Sequence, residues 1–294
     1  MNGYKKLLVA GATGRIGSAA VRHLLGAGYE VRALVRSARK GEGLRSLGAE
    51  PVVGDVTKPD TLSRAVEGCS GVYSVLAAGP GRGDPETVEY GGNVNLLRAA
   101  LSAGASRYVY SSALHADHPL ARDVGELREK ARFEETLAGA EGVSYTILRP
   151  AMLMEDLLLA LRGPVPVAFV PGGQRRPASW ISADDVARAA VRAFERDLHG
   201  RHELSGPDLC TYDEAYSRLA RAWGKRIAVL HSPLFTMRMP GRVLPYIGDL
   251  ARMFAFFDRV GYAADPAPFR DLFGVEALAI EEWAGRVSRP GPFG

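Results

Sequence analysis

The chain has 294 residues, 47% hydrophobic and 24% charged, the balance of an ordinary globular protein with one large domain or two modest ones. At this size folding removes roughly three quarters of the unfolded chain's surface from water, so a substantial core is available. The net charge of +4 is spread along the chain, mostly as arginine, with its densest run at Arg36, Arg39, Lys40 and Arg45; no basic tail or long basic helix appears, which argues against nucleic acid as a partner.

Leu7-Leu8-Val9-Ala10 is a short apolar run without alternation, the pattern of a central parallel strand buried on both faces. Gly11-Ala12-Thr13-Gly14-Arg15-Ile16-Gly17 follows at once, then a helical stripe of Ile16, Ala20, Leu24 and Ala27 that Gly28 is placed to end. Val31–Val35 is the next strand, and Pro51-Val52-Val53 leads into Gly54-Asp55. A helix carrying Leu62, Ala65 and Val66 precedes a strand over 71–76, and a glycine-rich loop crosses 79–83. A helix through Val94, Leu97, Ala100 and Leu101 leads to the strand Tyr108-Val109-Tyr110, which ends at Ser111-Ser112. A helix near 124–138 and a strand over Ser144–Leu148 complete the alternation, which predicts an α/β fold with a doubly wound parallel sheet and helices on both faces.

After Arg149-Pro150 the rhythm loosens. Residues 163–179 are rich in Pro and Gly and read as loop and short strand. Ala183–Glu195 reads as a helix with Ser182 as its N-cap, and His202-Glu203-Leu204 as a last sheet strand. The remainder is mainly helical, over 213–223, 246–260 and 276–287. Phe235, Met237, Met239, Tyr246, Met253, Phe254, Phe256 and Phe257 read either as helical core or as the wall of an apolar pocket. Cys69 and Cys210 lack metal or redox spacing and read as isolated buried thiols. No signal-peptide core or run of eighteen apolar residues is seen, so the expectation is a cytoplasmic protein with no membrane partner. Nothing in the sequence points to an oligomeric state or a metal site.

The glycine loop has strand before it and helix after it, the context a dinucleotide-binding turn requires. Gly11 permits the tight turn, Gly14 lets backbone approach a pyrophosphate, and Gly17 lets the helix pack closely. The helix N-terminus then offers free N–H groups and partial positive charge to the phosphates, with Thr13, Arg15 and Ile16 around them. The end of the second strand reads Leu34-Val35-Arg36-Ser37, with no acid to accept from a ribose 2′-OH. A guanidinium at Arg36 suits a 2′-phosphate instead, so the expected cofactor is NADP(H). Asp55 either accepts from the adenine amino group, with Val56 on the ring, or stabilises its own turn. Ala77-Ala78-Gly79 is small enough for a cofactor to lie against the backbone.

These residues occur in order with Lys130 and Glu134, with Tyr145-Thr146-Ile147-Leu148-Arg149-Pro150, with Met154-Glu155-Asp156 and with Ile181-Ser182-Ala183-Asp184-Asp185-Val186-Ala187. Together they resemble the NmrA-like branch of the atypical short-chain dehydrogenases, well over residues 5 to about 230 and vaguely beyond. The resemblance implies a Rossmann core over 1–155 completed by 180–205, with 156–179 and 206–294 forming a smaller, mainly helical substrate lobe. Family activities include NADPH-dependent reduction of quinones and aromatic compounds, and the family also holds regulators that bind the dinucleotide without turning it over.

One departure concerns the chemistry. The tyrosine-type enzymes carry Tyr-x-x-x-Lys, and here the position four before Lys130 is Glu126. Spacing alone makes Glu126, Lys130 and Glu134 a solvated ion-pair ladder. The family position instead gives Lys130 a place at the nicotinamide ribose or the substrate oxygen, stabilising developing charge, or donating a proton if its pKa is lowered. Ser111 and Ser112 end the fifth strand, where ligands bind in open α/β sheets; Ser112 matches the family's serine, and with Lys130 is the expected catalytic residue. His115 and His118 are possible stand-ins for the missing acid, and the resemblance puts Pro150, Ala151 and Met152 beside the nicotinamide, with Met154 facing the substrate side or packing. The expected function is NADPH-dependent hydride transfer to an apolar, aromatic or quinone-like small molecule. The alternatives are a non-catalytic NADP(H) redox sensor that recruits a protein partner, and an isomerase, epimerase or dehydratase that keeps its cofactor.

Overall fold

A computed structural model describes residues 5–78, 83–161, 165–237, 241, 245–287 and 289. Gly79, Met239 and most of the 79–83 loop lie outside them, and the side chain of Tyr246 is not described. The chain forms two compact units, one of residues 1–117, 125–149 and 186–202, the other of 118–124, 150–185 and 203–294.

The first unit is built from β1 (Lys6–Ala10), α1 (Arg15–Gly26), β2 (Glu30–Val35), α2 (Ala38–Ser46), β3 (Glu50–Val53), α3 (Ser63–Val66), β4 (Gly71–Ser74), α4 (Gly92–Ser102), β5 (Arg107–Ser111), α5 (Gly125–Ala138) and β6 (Ser144–Pro150). Later in the chain come β7 (Met152–Leu153), α6 (Glu155–Leu159), β8 (Val167–Pro171), β9 (Ala178–Ile181), α7 (Ala183–Glu195), β10 (Gly200–Leu204), β11 (Asp208–Cys210), α8 (Tyr212–Trp223), β12 (Ala228–Ser232), α9 (Pro245–Val260), α10 (Ala267–Phe273) and α11 (Ile280–Ala284).

The main sheet has seven strands in the order β10-β6-β5-β4-β1-β2-β3. The five pairings from β6 across to β3 are parallel. The predicted doubly wound α/β sheet therefore forms, with β1 an inner strand between β4 and β2 and Leu7, Leu8, Val9 and Ala10 wholly buried. The chain leaves β1 toward β2 and β3, then returns to β4 on the other side. That reversal between β1 and β4 opens a crevice at their carboxyl ends, where open α/β sheets bind ligands.

Buried charge inside this unit is satisfied rather than absent. Arg107 is 0% exposed, and its guanidinium donates to Ser144 Oγ, Thr146 Oγ1 and the carbonyls of Ala193 and Leu198. Arg149 donates to both oxygens of Glu134 and to Asp117 Oδ2, while Glu134 also accepts from Arg201. A guanidinium has enough donors for such multiple contacts, which is what makes burying one tolerable.

In the second unit Ser182 caps α7 as expected, its Oγ accepting from the Asp185 N–H at 3.0 Å. The predicted helix over 276–287 is shorter, Ile280–Ala284, because Asp208 Oδ2 accepts the Ile280 N–H at 2.6 Å and Asp185 Oδ2 that of Leu278 at 3.1 Å. Trp180, Tyr212, Phe254, Phe257 and Tyr262 form a chain of tilted and edge-on ring contacts, with Phe256 against Phe257 and His118. Most of the aromatics expected to be core or pocket wall thus pack on one another, whereas Phe235 is exposed. Cys69 and Cys210 are buried free thiols, and burial pushes Cys210 up to about 12. Among the described residues no helix is long and apolar enough to cross a membrane.

Candidate functional site

The glycine loop turns at Gly11, whose φ of +83° is open to few residues but glycine. A Cβ there would also lie 2.3 Å from the Val75 carbonyl oxygen, so the turn is pressed against the segment leaving β4. The Gly14 N–H donates to Gly11 O at 2.9 Å and closes the turn. A Cβ on Gly17 would lie 2.2 Å from Gly11 O, so this glycine lets α1 sit directly on the turn. Gly14 is the N-cap of α1; no side chain caps the helix and no acid occupies its first turn. Its N-terminal N–H groups thus keep the donors and the positive pole that a phosphate needs. Thr13 and Arg15 are exposed beside it, and Ile16 is half-buried.

The carboxyl ends of β2 and β3 supply the neighbours. Val35 is buried and Arg36 is exposed, and the Arg36 guanidinium makes no hydrogen bond or ion pair among the described residues. Asp55 Oδ1 accepts from both the backbone N–H and the hydroxyl of Thr57, at 2.9 and 2.8 Å, so this residue does stabilise its own turn. Burial alone would raise its carboxyl, but the two Thr57 bonds outweigh it and hold Asp55 below the ordinary aspartate range. Val56 is buried in the core, packed where a Cβ on Gly92 would stand, and its carbonyl accepts from Asn95.

Beyond β4, the Ala78 N–H donates to Glu89 Oε1 at 2.8 Å. Glu89 lies in a single π-helical segment, Glu86–Gly91, that runs into α4. Its second oxygen is 2.9 Å from Lys130 Nζ. The solvated ladder expected over Glu126, Lys130 and Glu134 therefore does not form. Lys130 is buried, Glu126 stands off at 3.7 Å with 43% of its side chain exposed, and Glu134 is committed to Arg149 and Arg201. The condition under which Lys130 would donate a proton, a lowered pKa, is not met in this arrangement. Burial alone would lower it, but the attraction of Glu89, with smaller help from Tyr110 and Glu126, holds it above the ordinary lysine range. The Glu89 carboxylate thus favours the charged form of Lys130. Burial in turn raises the Glu89 carboxyl, against the pull of the lysine.

At the end of β5, Ser111 Oγ shares a hydrogen bond of 2.8 Å with the Tyr73 hydroxyl. Ser112 is 5% exposed, and its Oγ has no hydrogen-bond partner among the described residues. The buried Tyr110 hydroxyl likewise has no hydrogen-bond partner among the described residues; a buried orphan hydroxyl calls for an explanation, and a ligand is one. His118 Nδ1 accepts the Leu120 N–H at 3.1 Å and so helps cap the turn that follows it, and His115 holds a left-handed backbone at φ +57°. Pro150 ends β6, Ala151 follows it, and Met152 sits in β7 with its sulfur 3.5 Å from the Tyr212 hydroxyl; all three belong to the second unit, where Met154 is also buried.

The first unit thus brings Gly11, Gly14, Gly17, Arg36, Asp55, Ala77, Ala78, Ser111 and Ser112 to one edge of one sheet, the carboxyl ends of its strands. Glu89 was missed in the sequence. A glutamate in a helical stretch reads as solvent-facing, and its partner Lys130 is remote in the chain.

A family model described as NAD(P)H-binding matches residues 11–197. Among curated proteins, the chain is 28% identical to a photosystem II assembly factor Ycf39 of Synechocystis, over 96% of this chain and 91% of the relative. It is 30% identical to an NAD(P)H azoreductase of Xenophilus azovorans, over 75% of each chain. Among solved structures, the NADPH-dependent quinone oxidoreductase QOR2 of Escherichia coli, complexed with NADPH, superposes with a TM-score of 0.79 at 22% identity, covering 95% of this chain and 99% of that one. The match over the glycine loop and most of the core places this chain in the NAD(P)H-binding family, and the ordered motifs and doubly wound sheet are consistent with the NmrA-like resemblance.

Proposed function

We propose that this protein is an NADPH-dependent reductase that delivers hydride to a flat, apolar acceptor of the aromatic or quinone-like class. The observation that carries the reading is the uncapped, acid-free N-terminus of α1 behind the Gly11 turn, with Arg36, which makes no hydrogen bond or ion pair among the described residues, at the end of the adjacent strand. The α1 N–H groups of the Gly14–Gly17 stretch would hold the pyrophosphate, with Thr13, Arg15 and Ile16 around it. Arg36 would fork onto the 2′-phosphate and so prefer NADPH to NADH. Asp55 Oδ2, free of the turn bonds on Oδ1, and the edge of Val56 would meet the adenine, and Ala77 and Ala78 would let the cofactor lie against backbone.

When bound, the cofactor supplies the hydride; the chain supplies orientation and electrostatics. Lys130, kept cationic by Glu89, would stabilise negative charge at the ribose or acceptor oxygen without losing its own proton. Ser112 Oγ, buried without a partner, would hydrogen-bond the acceptor, beside Ser111. In the same proposal Pro150 and Met152 keep the places at the nicotinamide that the family resemblance implies. The azoreductase and quinone reductase likenesses support the acceptor class.

A second reading is a dinucleotide sensor that docks a protein partner. It is favoured by Glu126 in the tyrosine's place, by the locked lysine, and by the assembly-factor relative that spans nearly the whole chain. Turnover separates the two readings. A reductase oxidises NADPH in the presence of a quinone or azo dye and loses that rate in Lys130→Ala and Ser112→Ala. A sensor binds NADPH tightly, turns over no acceptor, and is indifferent to both substitutions.

A further inference from the structure

Glu89 is fully buried, and its two carboxylate oxygens are divided between two elements. Oε1 accepts the Ala78 N–H at 2.8 Å, and Oε2 faces Lys130 Nζ at 2.9 Å. The first contact fixes the backbone that leaves β4 at the crevice edge. The second fixes the one buried lysine of α5. A monodentate surface pair would do neither, because only a carboxylate held between the two elements couples them.

The segment carrying Glu89 is itself fastened to α5. Arg132 lies 4.0 Å over the Tyr90 ring and reaches Glu86 at 3.4 Å. These outer contacts are more exposed and end on side chains. Only Glu89 continues inward to the Ala78 backbone. The segment is π-helical, a form that is rare and frequently found at functional sites.

We infer that Glu89 is a positioning residue for the nicotinamide end of the bound dinucleotide, holding Lys130 and the Ala77–Ala78 backbone as one piece. This rests on the NADPH-binding reading above. The groups that face the carboxylate are Lys130 and Glu126 from α5 and the buried Tyr110 hydroxyl from β5. Lys130 is the cation among them, so protonating Glu89 releases it. Burial raises that carboxyl, so release begins at a higher pH than for an ordinary glutamate.

The test uses the full chain and two probes, NADPH and adenosine 2′,5′-bisphosphate, the latter reporting only the adenine end. In Glu89→Gln the amide oxygen can still accept from Ala78, but the charge on Lys130 is no longer met. NADPH binding is expected to weaken by about tenfold, the scale of one charge-assisted hydrogen bond, with the bisphosphate nearly unchanged. Acidification should weaken NADPH binding more steeply in the unmutated chain than in Glu89→Gln; comparing the two cancels the titration of the cofactor's own phosphate. The double variant Glu89→Gln, Lys130→Met removes the unmet charge, so its melting temperature should recover while its NADPH affinity does not. If Glu89→Gln does not fold, Glu89→Asp, which keeps the charge but shortens the reach to Ala78 and Lys130, carries the comparison. Unchanged NADPH affinity in a folded variant, or affinity that recovers together with melting temperature, overturns the inference and leaves the cofactor reading standing. An unmutated chain that binds neither probe takes both down.

Discussion

Glu89 and Lys130 meet at 2.9 Å with only 1% and 6% of their side chains exposed. Removing one partner from such a pair leaves an uncompensated charge in the core, which typically costs about 3–5 kcal/mol. In Lys130→Met the stranded group is Glu89, which can escape by taking a proton. Its folded-state pKa, already raised by burial from the ordinary 4.5, should rise further without the lysine. A group whose folded pKa is raised contributes stability below its unfolded value, and that contribution is lost as pH rises through the folded value. The deficit of Lys130→Met should therefore be small near pH 4.5 and grow toward neutrality and above. Denaturant titrations of both chains across that range check this; a deficit independent of pH contradicts it.

Arg36 sets the cofactor preference. Arg36→Ala should weaken NADPH by about tenfold to a hundredfold, the range for losing hydrogen bonds to a charged group, and leave NADH nearly unchanged. Isothermal titration with both cofactors reads this directly. Equal losses for the two would mean that Arg36 does not meet the 2′-phosphate.

Gly17 and Gly28 make a contrasting pair. A Cβ on Gly17 would stand 2.2 Å from a backbone oxygen, whereas one on Gly28 meets nothing within 4 Å despite its φ of +86°. Gly17→Ala should cost about 1–3 kcal/mol or more as α1 is pushed off the turn, and should weaken dinucleotide binding with it. Gly28→Ala should cost only about 1 kcal/mol, the left-handed backbone penalty, with binding intact. Melting curves with and without NADPH distinguish them; equal effects would show that the close packing at Gly17 is not what positions the loop.

Ser112 should show a trade between stability and activity. Its buried Oγ has no partner among the described residues, and an unmet hydroxyl costs about 1–3 kcal/mol. Ser112→Ala should raise the melting temperature of the ligand-free chain and lower kcat with a supplied quinone. A variant that is less stable, or fully active, would give the hydroxyl a structural role instead.

What was legible in the sequence was what local chemistry decides. The apolar run at Leu7–Ala10, the glycine turn and the Ser182 cap each carry their reason within a few residues. Helix α2 gave no such signal. Only Gly41 and Leu44 of its nine residues are buried, so it has no apolar stripe to read, and Gly41 serves close packing against Pro51. The start of α11 was misjudged because the carboxylate that accepts its first N–H is Asp208, brought there by the fold. The same holds at the candidate site. Spacing placed Lys130 in an exposed ladder, because its real partner, Glu89, is joined to it only by tertiary packing.

The most direct test of the central claim is NADPH consumption followed by nicotinamide absorbance, with and without a naphthoquinone or azo dye, at saturating cofactor. A reductase of this kind should show acceptor-dependent oxidation, one NADPH for each two-electron reduction, faster with NADPH than with NADH at equal concentration. It should show a fall in kcat of about a hundredfold or more in Lys130→Ala, the scale set by removing one preorganised electrostatic contact. Tight NADPH binding with no oxidation by any acceptor, unchanged in Lys130→Ala, would contradict it and identify the protein as a sensor of the dinucleotide.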